Sequence, residues 1–367
     1  MSALADHRIA RVVIGTLRDR YPRTIGCNAR LGSHGSGGTF EVVVIRTNAG
    51  AMGWGILAGD VKPIRQLVGM RVSDVFDPDV GVIDERAIAL DFALHDLAGQ
   101  ILGKPVFRLL GGAGPTAVPC YDGAIYLDDL TAKNPARGIE KVLANCKSDR
   151  ALGYRSFKLK IGRGHRWLPA QEGLRRDIEV TRAVRAAFPD ARIMVDANDG
   201  YTTGEFLTYL EAVADCELFW VEEPFRETRP YLRRLRRFLD RLGTGTLVAD
   251  GERDPDVPFL LALAADGLLD VLIMDIVSYG FTAWRRIMPV LREVGAQASP
   301  HAWGRPLKTI YAAHLAAGLG NVVAVEGVPG RIKGVRSDNY RLIDGKLHLS
   351  EAPGFGLPVP SISGAIP

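Results

Sequence analysis

The chain has 367 residues, 47% hydrophobic and 24% charged, with 46 Lys and Arg against 42 Asp and Glu and a formal charge of +4. At about 150 residues per domain this length fits roughly two domains, and the composition excludes disordered, collagenous and coiled-coil chains. The near-balanced charge leaves no footprint for nucleic acid, and no stretch reaches the roughly 20 apolar residues that cross a membrane.

The start, MSALADHRIARVVIG, carries no long apolar run of the signal-peptide kind, so a cytoplasmic location is expected. Strand-like runs RIARVVIGTL and FEVVVIRT follow, separated by the polar, glycine-rich LGSHGSGG. In DERAIALDFALHDLAGQILG, Ala87, Leu90, Leu94, Leu97 and Ile101 step by three and four residues and predict one apolar helix face. Gly111, Gly112, Gly114 and Pro115 punctuate a boundary. Residues 1–113 are therefore read as one domain.

From Val118 the texture changes. Short apolar strands (VPCYDGAIY, SFKLKIG, RIMVDAN, LFWVEEP, TLVADGE, VLIMDIV, AQASPH, VVAVEG) alternate with longer amphipathic segments. Such alternation predicts βαβ units and a parallel sheet, and eight strands in about 230 residues match a TIM-type barrel. An open doubly wound sheet is the alternative, without a nucleotide motif at a switch point. The basic run YLRRLRRFLDR at 231–241 spaces its leucines helically, so its arginines read as a solvated face. Residues 114–345 form this second domain. The tail, 346–367, holds no further βα unit and is expected to cross back onto the first domain. Cys27, Cys120, Cys146 and Cys216 lie far apart without a CxxC, which fits a reducing compartment better than a disulfide framework or zinc finger.

Catalytic side chains of such barrels project from the C-terminal strand ends. The second strand ends in Lys158-Leu159-Lys160, with both lysines on one face by alternation. Neighbouring ammonium groups lower each other's pKa toward working pH, and the plainer reading of two solvated lysines on an edge strand is weakened because Phe157, Leu159 and Ile161 make this a central, buried strand. The next three strands end in Asp196-Ala197-Asn198, Glu222-Glu223-Pro224 and Asp250-Gly251-Glu252. Each acid alone reads as a loop or cap residue, but repetition at one βα unit per step makes Asp196, Glu222 and Glu252 neighbours. Converging carboxylates repel unless a cation joins them, and an all-oxygen site suits Mg²⁺. Asp275 and His301 end the sixth and seventh strands and predict an Asp–His acid/base pair. Glu326 ends the eighth, either as a protonated donor or as a salt-bridged partner of a residue such as Arg331. His95, His314 and His348 read as structural or exposed.

The ordered set Lys158-x-Lys160, Asp196-x-Asn198, Glu222-Glu223-Pro224, Gly251-Glu252, Asp275 and His301 resembles the enolase superfamily, in its mandelate racemase and muconate lactonizing enzyme group. The KxK lysine together with an Asp–His dyad is similar to the mandelate racemase-like branch. DLAGQILGKPVFRLLGG resembles that family's link from cap to barrel, and PGFGLPV its return to the cap. The resemblance implies an α/β protein, a modified (β/α)₇β barrel under an N-terminal α+β capping domain. It implies Mg²⁺ on Asp196, Glu222 and Glu252, Lys160 activated by Lys158 as one base, and His301 oriented by Asp275 on the opposite face. Glu326 matches the eighth-strand acid in position and type only. A homo-oligomer is also implied.

The chemistry so implied is removal of the proton α to a carboxylate. Dehydration of an acid sugar to a 2-keto-3-deoxy sugar acid is the leading expectation, with Lys160 or His301 taking the C2 proton and His301 protonating the departing C3 hydroxyl. A racemase or epimerase using the same two bases is the alternative, and a non-catalytic binding protein on the same scaffold is a third. The polar loop from Arg23 to Thr39 favours a hydroxylated substrate, through donors such as Arg23, Asn28, Arg30 and His34, with Asn198 nearby. The partner is then a small carboxylate, with no nucleic acid and no membrane.

Overall fold

The computed structural model describes residues 3–130 and 138–362. Strands β1 (Ile9–Arg20), β2 (Thr39–Thr47) and β3 (Met52–Ile56) form an antiparallel meander. One face of it covers helix α1 (Asp91–Leu102). Contact is close because Gly55 faces the helix: a Cβ there would lie 2.6 Å from Phe92 Cβ. The predicted helix over 84–103 begins as a 3₁₀ turn, Glu85–Leu90, with the Asp84 side chain accepting from the Arg86 amide.

The second unit holds eight parallel strands: β4 (Ala117–Ile125), β5 (Ser156–Lys160), β6 (Arg192–Asp196), β7 (Trp220–Glu222), β8 (Leu247–Asp250), β9 (Val271–Leu272), β10 (Gln297–Ala298) and β11 (Val325–Gly327). Each neighbouring pair up to β10 is hydrogen-bonded in parallel. An Ala298–Val322 bridge and the β11–β4 pairing close the ring. Among the described residues, one long helix follows each of the first seven strands: α2 (Ile139–Ala151), α3 (Ala170–Ala187), α4 (Thr203–Ala212), α5 (Arg229–Leu242), α6 (Val257–Ala265), α7 (Phe281–Glu293) and α8 (Pro306–Leu319). The architecture is thus the (β/α)₇β barrel with a strand-rich N-terminal cap. In α5, Leu232, Leu235 and Leu239 are buried and the arginines lie on the other side, as their spacing predicts. No helix among the described residues is long and apolar enough to cross a membrane.

Cap and barrel are sewn together by buried polar contacts. Asp91 of α1 accepts from the amide (2.8 Å) and hydroxyl (2.6 Å) of Thr282 at the start of α7. The tail differs in part from the sequence expectation. Arg331–Ile332 pairs with β1 of the cap. A hairpin of Arg341–Ile343 and Lys346–His348 then adds antiparallel to β4 of the barrel. Strands of three residues carry too little periodicity to be seen in sequence. Only beyond them does the chain lie on α1, where Phe355 N donates to Asp96 at 2.7 Å.

Candidate active site

Strand register builds the site. Lys160, Asp196 and Glu222 are successive partners across β5, β6 and β7, and Asp275 pairs with His301 in a parallel bridge. One carboxylate oxygen from each of Asp196, Glu222 and Glu252 lies within 4.8 Å of the other two. The turns that follow are strained: Asn198 (φ 45°), Asp199 (φ 56°) and Glu223 (φ 40°) all occupy the left-handed region without being glycine. The Glu223 carboxyl accepts the amides of Glu252 (3.0 Å) and Arg253 (2.9 Å), fixing the backbone that carries the third acid. The Trp220 indole donates to Glu222 Oε2 at 3.1 Å.

This trio fits a hard divalent cation. All of its donors are carboxylate oxygens, and Glu252 Oε2 is buried without a hydrogen-bond partner. The carboxylates of Asp196, Glu222, Glu252 and Glu326 crowd this end of the barrel beside Lys158 and Lys160, and a cation relieves their mutual repulsion.

The lysines are buried, but not as a mutually depressed pair. Lys158 Nζ lies 2.6 Å from Glu222 Oε1, 2.9 Å from Glu326 Oε1 and 3.4 Å from Asp196 Oδ2. Lys160 Nζ bonds Asp196 Oδ2 and stands 5.3 Å above the Tyr126 ring. Burial pushes both ammonium pKa values down, yet the carboxylates outweigh it and both are raised. The sequence expectation of a lowered pKa is corrected on this point. Attraction from acids on the next strands exceeds repulsion between the lysines, and a dication held by those same acids would offset part of that attraction at Lys160.

His301 Nδ1 lies 2.9 Å from Asp275 Oδ2, and Nε2 lies 3.3 Å from Glu252 Oε1. Asp275 Oδ1 accepts the amides of Val277 and Ser278, each at 2.9 Å. Its Oδ2 also takes Lys308 Nζ at 2.6 Å. Burial would raise the Asp275 carboxyl, but His301 and Lys308 hold it far below the usual range. It is an anion, so Nδ1 donates and Nε2 is the working nitrogen. Burial lowers the imidazole pKa, and Glu252, Glu326 and Asp275 together raise it above its ordinary value.

Glu326 is an acceptor. Its Oε2 takes the amides of Ala302 (2.7 Å) and Trp303 (2.8 Å), and Lys158 and His301 outweigh burial to lower its pKa. The protonated-donor reading is therefore corrected, and its cation is Lys158 rather than Arg331, which is exposed on the cap sheet. Gly123 leaves room for it, since a Cβ there would lie 2.5 Å from Glu326 Oε1.

The polar loop behaves unevenly. Arg23 is corrected as a substrate contact: it pairs in two-pronged fashion with Asp149 of α2 at 2.5 and 2.6 Å. Arg30 serves the carbonyls of Asn198 and Asp199, and the Asn28 side chain accepts the amides of Arg30 and Leu31. Asn198 is buried with Oδ1 unpartnered, and its amide donates to Asp196 Oδ1 at 3.0 Å. His34 reaches the aromatic wall of the site, with ring centroids 4.6 Å from Tyr126 and 6.2 Å from Trp303. The sequence reading missed Tyr126, Trp303, Glu223 and Lys308 as site neighbours. Tyr126 directly follows β4, so the strand-end rule could have found it. Lys308 sits in a helix, and nothing local marks it.

A family model described as Enolase C-terminal domain-like matches residues 141–361. D-galactarolactone cycloisomerase of Agrobacterium fabrum is 26% identical over 362 residues, covering 87% of this chain and 88% of that one. Galacturonate dehydratase of a Geobacillus species, solved with D-galacturonate and 5-keto-4-deoxy-D-galacturonate, is 32% identical with a TM-score of 0.88, covering 96% of this chain and 94% of that one. A mandelate racemase/muconate lactonizing protein of a Geobacillus species, solved with magnesium and tartrate, is 32% identical with a TM-score of 0.89, covering 96% and 93%. Other relatives are sugar-acid dehydratases and a dipeptide epimerase.

Proposed function

The chain belongs to the Enolase C-terminal domain-like family, within the mandelate racemase and muconate lactonizing enzyme group, and from that membership we propose that it dehydrates a sugar acid to a keto-deoxy sugar acid. What supports this reading is that Lys160 Nζ bonds Asp196 while His301 Nε2 lies 3.3 Å from Glu252, so the two bases meet different members of the carboxylate trio, with Asp275 committing the His301 Nε2 to the site. Likeness to a galacturonate dehydratase makes D-galacturonate the first substrate to try.

Asp196, Glu222 and Glu252 would hold Mg²⁺, which when bound would supply the positive charge that makes a carboxylate α-proton removable, as in the enolase superfamily generally. Lys160 or His301 takes that proton from the α-carbon. The electron pair left there forms the double bond to the β-carbon as the β-hydroxyl departs, and His301 gives the hydroxyl the proton that lets it leave as water. The resulting enol tautomerises to the ketone. Lys158 stays charged between Glu222 and Glu326, and so balances the acids rather than shuttling a proton. His34, packed against the Tyr126 and Trp303 rings, and Asn198, with its unpartnered Oδ1, are the side chains we propose to meet the hydroxyl groups of the substrate.

The test is incubation with Mg²⁺ and a panel of uronic, aldonic and aldaric acids in D₂O, followed by NMR. A keto-deoxy product supports dehydration. Deuterium at the α-carbon without that product assigns an epimerase instead. No exchange with any acid overturns the proposal. Light scattering on the same preparation tests the homo-oligomer that the resemblance implies.

A further inference from the structure

We infer that Lys308 is a positioning residue for His301, acting through the one oxygen of Asp275 that its ammonium shares with the imidazole. Asp275 is saturated by four donors. Two backbone amides hold Oδ1, and Oδ2 receives His301 Nδ1 at 2.9 Å and Lys308 Nζ at 2.6 Å. A carboxylate gripped at both oxygens has its plane fixed, and the ring bonded to it inherits that orientation. The Asp275 side chain is 11% exposed, so its charge needs a cation, and Lys308 supplies one whatever the charge of the imidazole.

Lys308 is delivered by a rigid element. It lies in the first turn of α8, where Pro306 opens the helix and Leu307 is buried. Just before it, Arg305 ties this turn to the cap through Asp19 at 2.9 Å. The chain reverses at Gly304 (φ 97°), which brings Lys308 back beside the residue that orients His301. Its Nζ is bonded to Asp275 and its side chain is 17% exposed, so it acts on the reaction through the dyad rather than on substrate.

The catalytic half of this inference rests on the dehydratase reading, so the test has one readout that needs no turnover. Lys308→Met keeps the stem and removes the charge, and Lys308→Arg restores a cation. Histidine-selective ¹⁵N labelling, with the His301 signal assigned by its loss in His301→Asn, reports the ring directly. At a pH where the His301 ring is neutral, wild type is expected to show one Nδ1–H tautomer, Lys308→Met a broadened or mixed signal, and Lys308→Arg a return to one. On the sugar acid, Lys308→Met is expected to lower kcat by about 10–100-fold with KM unchanged, the range for removing a group that orients a functional side chain. A ring signal and kcat unchanged in folded Lys308→Met overturn the inference, as does a fall in melting temperature with the ring unmoved. If wild type acts on no sugar acid while the ring responds, the dehydratase reading falls and the positioning role stands.

Discussion

Lys158 Nζ lies 2.6 Å from Glu222 Oε1, inside the barrel and away from water. The same ammonium is 2.9 Å from Glu326, so it stands between a candidate metal ligand and the eighth-strand acid. Lys158→Met leaves both carboxylates buried without that cation. Breaking a buried pair in this way costs about 3–5 kcal/mol, which urea unfolding reads directly. A loss below 1 kcal/mol would show that the acids take up protons at little cost and that Lys158 is dispensable.

Lys160 and Glu222 separate the two halves of the proposed chemistry. Lys160→Ala is expected to slow α-proton exchange by about 10²–10⁴-fold, the usual contribution of a general base, while calorimetry shows Mg²⁺ still bound. Glu222→Gln is expected to do the reverse for binding, weakening Mg²⁺. In wild type, Mg²⁺ at 100 times its Kd adds about 2.7 kcal/mol of stability, and EDTA removes it. Melting curves indifferent to Mg²⁺ and EDTA would count against the carboxylate trio as a metal site.

His314 predicts acid sensitivity away from the site. Its Nδ1 accepts the Phe107 amide at 3.2 Å, and its Nε2 lies 2.6 Å from the Tyr340 hydroxyl, which donates to Phe355 O. Burial pushes its pKa down to about 3. The folded state then binds fewer protons than the unfolded chain, so stability is complete above the unfolded value near 6.5 and falls as pH drops from there toward 3. Each unit costs about 1.4 kcal/mol. His314→Gln should flatten this slope; an unchanged dependence on pH would assign it to other groups.

Arg23 and Asp149 offer a counter-test to the sequence reading of the polar loop. Arg23→Met leaves Asp149 facing Asp122 without its cation, and Asp122 is already raised by burial and by Asp149. Loss of about 3–5 kcal/mol is expected, with KM unchanged. A raised KM at full stability would return Arg23 to the substrate.

The parts legible in sequence share one property. Lys160, Asp196, Glu222 and Glu252 stand at or just beyond strand ends, and the strands themselves show as short apolar runs between helical segments. Period and spacing are local, so the βα units and their ordered acids could be read residue by residue, while closure into a barrel rather than an open sheet was implied by the family resemblance. Side-chain state could not. Glu326 reads equally well as a protonated donor until the Ala302 and Trp303 amides are seen to point at it.

The sequence by itself determined the alternating βα units and which strands carry acids and bases, because backbone periodicity and βα length are properties of contiguous residues, and the family resemblance added the closed barrel and its cap. Only the tertiary structure decided how those groups are charged. The partners that set each pKa, Asp196 for Lys160 and His301 with Lys308 for Asp275, come from neighbouring strands and helices, and Coulomb interactions in a buried site depend on distances that no spacing along the chain encodes.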